Sequence, residues 1–119
     1  MRTAFWDIET RSAANLRIVG AHQYAIHGTT QPLCMVYAID NDEPQCWLPG
    51  DPVPLIFNEI AADPENHRLV AHNVAFEREI LENVLVPRYG FPSIPVGCTH
   101  CTMVLALFNA RPAELGQLE

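Results

Sequence analysis

The sequence predicts an α/β fold built around a mixed sheet. Three observations carry this reading. Residues 3–9, 33–40 and 68–72 are short, largely apolar runs of strand length. Residues 73–86 repeat their apolar positions at helical spacing. Proline and glycine clusters separate these segments, and the alternation of strands with helices is the pattern of an α/β layer architecture. A chain of 119 residues is one domain or a piece of one.

Each element has a local reason. Residues 3–9 form a strand that ends at an acidic pair, Asp7 and Glu9. Residues 10–31 are polar and irregular, with Gly20 and Gly28 as breakers, and are expected to be loop. The run "LCMVYAID", 33–40, is continuous and apolar, so a strand buried on both faces is expected. "NDEP" supplies a turn, and "QCWL", 45–48, returns as a partner strand. "LIFNEIAA", 55–62, is a short helix ended near Asp63 and Pro64. "RLVAH", 68–72, is a further strand, followed by a helix from Asn73 to about Val86 that Pro87 stops. "RYGFPSIPVG" reads as loop, residues 101–110 as helix, and residues 111–119 as a helix just starting.

Bulk properties narrow the function. Fourteen acidic residues against seven basic give a net charge of -7, which argues against a simple electrostatic nucleic-acid binder. Carboxylates held as metal ligands inflate that formal count, so a phosphate-handling enzyme that works through bound cations stays compatible. No apolar run approaches the ~20 residues of a membrane span, and "MRTAFWDIE" lacks the apolar core of a signal peptide. A cytoplasmic protein with reduced cysteines is expected.

The helix 73–86 carries the most information. Asn73 suits an N-cap, its side chain accepting from a first-turn N–H. Val74, Phe76, Ile80, Leu81, Val84 and Leu85 share an apolar side, while Arg78, Glu79 and Glu82 form the solvated one. Glu77 falls within the apolar stripe, stacked with Leu81 and Val84. An ionised carboxylate turned toward a core is costly unless it is paired or binds a metal. Asp7 and Glu9, two apart on a strand, project from one face and repel unless a cation lies between them. If strands 3–9 and 68–72 run parallel, their carboxyl ends share the edge where α/β proteins place their sites. Asp7, Glu9 and Glu77 would then converge as hard oxygen ligands for Mg²⁺ or Mn²⁺, with two ions expected.

These residues resemble a known family. "FWDIET" followed by "AHNVAFERE" is similar to the first two motifs of the DEDD superfamily of 3′–5′ exonucleases. More narrowly, the chain resembles the proofreading domain of phage-type family A DNA polymerases. The likeness extends through "DIETRSAANLRIVGAHQYA", "PGDP", "LVPRYGFP" and "HCTMVLAL". It implies an RNase H-like fold and metal-dependent removal of nucleotides from a DNA 3′ end. By that resemblance Asp7 bridges two metal ions, Glu9 binds the ion that activates water, and Glu77 stands where most of the superfamily has aspartate. Thr10 contacts the terminal nucleotide through its backbone, and His72, Asn73 and Phe76 shape the pocket for the 3′ end. The family also uses a third motif, a Tyr or His shortly before a final aspartate. After residue 101 the acids are Glu114 and Glu119, and no such motif is present. The expectation is therefore a partial domain, residues 1–119: either a fragment whose parent continues as the remainder of a polymerase chain, or a chain whose site another chain completes, with weak catalysis or none by itself. A truncated domain would expose apolar surface, so a homodimer is also expected.

Two other readings stand beside this one. "CTHC" places Cys98 and Cys101 at redox or zinc spacing, with His100, His67 or His72 as further ligands. Alternatively, the fold serves as a non-catalytic nucleic-acid-binding or interaction module. Trp6 and Trp47 read as core residues in either case.

Overall fold

The computed structural model describes residues 1–102. Five strands form one mixed sheet: β1 (Arg2–Arg11), β2 (Gln31–Ile39), β3 (Gln45–Trp47), β4 (His67–Ala71) and β5 (Thr99–Cys101). Their order across the sheet is β3-β2-β1-β4-β5. β1 pairs antiparallel with β2 and parallel with β4, and β5 runs parallel to β4. The expected mixed α/β sheet is thus present, and β1 and β4 meet the condition of parallel running as direct neighbours.

β1 shows the alternation of a strand covered on one face. Ala4, Trp6 and Ile8 are buried, whereas Phe5, Asp7 and Glu9 are exposed. Trp6 meets Phe57 of α2 (Leu55–Ala62) edge-on at 5.6 Å, and Phe57 meets Phe91 at 5.1 Å. Trp47 packs against both Phe91 and Tyr89 in the same edge-to-face manner. Its indole N–H donates to the Asp51 carbonyl at 3.1 Å. Both tryptophans are core residues, as the sequence implied. Each large apolar side chain buried here contributes about 1.5–3 kcal/mol. The opposite face of the sheet is more open: Phe5 is 43 % and Val36 45 % exposed.

β2 therefore departs from the expectation of burial on both faces. Met35 and Pro32 are buried, but Leu33 and Val36 are exposed, because the helices among the described residues cover only one side here. The β1–β2 register steps between Glu9 and Thr10, which pair with Cys34 and Pro32 and skip Leu33. Asp40 closes the far end in a left-handed conformation, φ 50, exchanging hydrogen bonds with the backbone of Thr3.

A helix occupies part of the segment expected to be loop. α1 (Leu16–Ile26) starts at Asn15, whose side chain accepts from Arg17 N–H at 3.1 Å. Gly20, at φ 84 and ψ 170, interrupts it with a kink. The glycine splits the apolar pattern into two short pieces, so no helical period runs through the whole segment. The second piece carries the buried Tyr24 and Ala25.

The helix after β4 also differs from expectation. α3 (Val74–Ile80) runs into a wide π-helical turn, Leu81–Leu85, and then α4 (Val86–Tyr89), ended by Gly90 at φ 76. Pro87 does not stop the chain. It lies in the first turn of α4, where the helical register has just been reset and no donor is needed from its nitrogen. Ile80, Leu81, Val84 and Leu85 are fully buried, as their spacing required. Arg78, Glu79 and Glu82 are half-buried rather than solvated. Arg78 donates to the Ile94 carbonyl at 3.0 Å and to Glu82, so the 91–94 loop covers that side of the helix. A short 3₁₀ turn, Val96–Cys98, and β5 complete the described chain. The short strand β5 lies between the expected loop, 88–97, and the expected helix, whose first residue, Cys101, it includes. The helices expected from residue 103 onward lie outside the described residues.

Candidate functional site

The site is positioned by an unequal pair of strands. β1–β4 pairing ends at Phe5 and Val70, and β4 itself stops at Ala71. β1 runs on to Arg11, so Asp7 and Glu9 lie beyond the last paired residues of the two strands. There the chain leaves β4 through His72 and Asn73 into the first turn of α3, which carries Glu77.

Glu77 is the buried acid that the helical spacing indicated, with 4 % of its surface exposed. Burial raises its pKa from 4.5 to about 7. A hydrogen bond from its own backbone opposes that shift, and the charges of Asp7 and Glu9 add to it. The three acids thus share one electrostatic environment. Among the described residues Glu77 Oε2 is buried without a hydrogen-bond partner, an unusual state for a carboxylate oxygen. Asp7 and Glu9 remain exposed. Among the described residues, no three His, Cys, Asp or Glu side chains close around a single point. The donor set is all carboxylate oxygen, suited to a hard divalent cation.

Other expected site residues sit around this edge. Thr10 shares a 2.8 Å hydrogen bond with the Tyr24 hydroxyl. Phe76 is half-buried and packs on the Tyr24 ring at 5.8 Å. Asn73 holds the N-cap position, but its side chain makes no capping bond. Its carbonyl accepts from the N–H groups of Phe76 and Glu77 instead, leaving the exposed amide available. His72 is exposed, with Nδ1 2.9 Å from Thr102 Oγ1.

Tyr24 was absent from the site residues read in the sequence. It links Thr10 to Phe76 and so connects the acid-bearing strand to the acid-bearing helix. A signal existed after Gly20, since Ala21, Tyr24 and Ala25 stand at i, i+3 and i+4. The same helix contributes His22, whose Nδ1 lies 2.8 Å from Glu79 Oε2.

The cysteine motif shows a different character. Cys98 donates to the Pro95 carbonyl, and burial raises its thiol pKa. That direction is opposite to the activation a nucleophilic thiolate needs. Cys101 lies on β5 and donates to the His72 carbonyl at 2.9 Å.

Comparison with protein-family models, curated proteins and solved structures returned no match for this chain. Among the described residues, no helix is long and apolar enough to cross a membrane.

Proposed function

We propose that this chain is part of a DEDD-type 3′–5′ exonuclease domain with an RNase H-like fold. It acts on DNA 3′ ends in association with a DNA polymerase. The mixed sheet flanked by helices is compatible with that fold. The observation that carries the reading is Glu77: a buried carboxylate with an orphaned oxygen, coupled to Asp7 and Glu9. A structural acid would have been paired or turned to water.

Asp7, Glu9 and Glu77 are the residues that would hold Mg²⁺ or Mn²⁺. When bound, the ions lower the pKa of water and neutralise charge on a phosphodiester. The rest is the work of the chain itself. Phe76, backed by Tyr24, offers an apolar wall for the terminal sugar and base. Tyr24 fixes the Thr10 side chain, so the Thr10 backbone holds its position beside the acids. The exposed Asn73 amide and His72 ring border the same edge. The family's third motif, a Tyr or His shortly before an aspartate, has no counterpart in this sequence, so metal binding with little or no cleavage is expected.

Isothermal titration with Mn²⁺ tests the reading. Wild type binds, and Asp7→Ala loses most of that affinity. Equal affinity in the two proteins removes the metal site and the nuclease assignment with it.

A further inference from the structure

We infer that Arg11 is a phosphate-contacting residue that holds a nucleic-acid strand one step beyond the acids. The inference rests on the exonuclease reading for the strand's direction, but not for the contact itself. All seven basic residues of this acidic chain are arginines. Arg2 and Arg78 are neutralised by Glu59 and Glu82. Arg88 is directed to the Thr30 carbonyl and the Tyr89 ring, and Arg68 toward the Met1 sulfur. Arg17 lies on α1, away from the acid-bearing strand; Arg2 shares that strand but is paired with Glu59 at its far end, whereas Arg11 follows the acids and has a neutral partner. Its Nε and Nη2 donate to Gln31 Oε1 at 3.2 and 3.0 Å. The guanidinium is thereby oriented; among the described residues no carboxylate pairs with it, and Nη1 is left for an anion.

Asp7, Glu9 and Arg11 alternate along β1 and are all exposed, so they project from one face. At about 3.3 Å per residue, Arg11 follows Glu9 by roughly 6.6 Å along that face. A strand with its terminal phosphodiester at the acids therefore brings a neighbouring phosphate to Arg11. An open depression of about 450 Å³ lies there, bounded by Arg11, Ser12, Ala13, Gly28, Thr29 and Gln31. Its two walls are tied together. Thr29 Oγ1 accepts from Ala13 N–H at 2.8 Å and lies 3.3 Å from Ser12 Oγ. Thr30 Oγ1 lies 2.7 Å from Ser12 Oγ. These bonds hold the depression in shape before any ligand arrives, which lowers the ordering cost of binding. A net charge of -7 repels a polyanion at long range, so a local cation at this point has a clear role.

The test is fluorescence anisotropy of the full chain with a labelled single-stranded (dT)8 in EDTA, over a range of NaCl concentrations. Arg11→Gln should weaken binding about fivefold, the size of one charge-assisted contact at an exposed site. It should also reduce the slope of log K against log salt by about 0.7, one phosphate's share on a single strand. Arg11→Lys should restore the slope but not the full affinity, because the fork is lost. Its thermal midpoint, and that of Arg11→Gln, should match wild type. Unchanged affinity and slope in Arg11→Gln, or no wild-type binding, overturns the inference. EDTA separates it from the metal site: Arg11-dependent binding without Mn²⁺ affinity leaves the phosphate contact and ends the exonuclease reading. Mn²⁺ affinity with no effect of Arg11→Gln does the reverse.

Discussion

The hydroxyl of Tyr24 and Oγ1 of Thr10 lie 2.8 Å apart, bonding a kinked helix to the strand that carries Asp7 and Glu9. Tyr24 also packs on Phe76, one residue before Glu77. One side chain thus holds together the two segments that bring the acids to a common edge. Tyr24→Phe keeps the ring contact and deletes the hydrogen bond, leaving Thr10 unsatisfied. A loss of about 1 kcal/mol in urea denaturation is expected. No loss would mean that solvent replaces the bond and that Thr10 is not held by it.

Glu77 makes stability depend on pH in a defined direction. Its folded pKa is about 7, raised from 4.5 by burial and then by Asp7 and Glu9. Between those values the folded protein binds a proton that the unfolded chain releases. Stability therefore falls as pH rises from about 4.5 to 7 and then levels off. Glu77→Gln removes that slope and, in EDTA at pH 8, is more stable than wild type by at most about 3 kcal/mol. Denaturant curves at pH 5, 6, 7 and 8 measure this. Identical pH profiles for the two proteins would contradict it.

Metal binding reverses the sign of that penalty. A divalent ion needs Glu77 deprotonated, so added Mn²⁺ should raise the thermal midpoint more at pH 8 than at pH 5.5. Asp7→Ala should abolish the difference. A midpoint shift of the same size at both pH values would place the ion elsewhere on the surface.

Phe57 joins Trp6 of β1 to Phe91 of the loop after α4, and it is fully buried. Phe57→Ala should cost about 3–5 kcal/mol, the range for deleting a core aromatic. Thermal unfolding gives the measurement. A cost below 1 kcal/mol would show that the aromatic cluster collapses to fill the space.

Several features were legible in the sequence for local reasons. The β1 alternation, the helix at 55–62 and the buried Ile80, Leu81, Val84 and Leu85 follow from periodicity, which one segment can display unaided. Glu77 stood out on the same ground, as an acid in an apolar stripe. α1 did not, because Gly20 breaks its pattern at the kink. The π-helical turn before Pro87 was invisible too, since wide and normal helical turns share a composition.

By itself, the sequence determined which residues are apolar, which segments repeat with strand or helical period, and that one acid falls on a buried helical face. Only the tertiary structure decided that β1 outruns β4, that Tyr24 spans strand and helix, and that Phe5 and Val36 stay exposed on the face opposite the aromatic core. The physical reason is separation along the chain. Asp7 and Glu77 are brought into one electrostatic environment by parallel strand pairing, and no local pattern encodes which strands will pair.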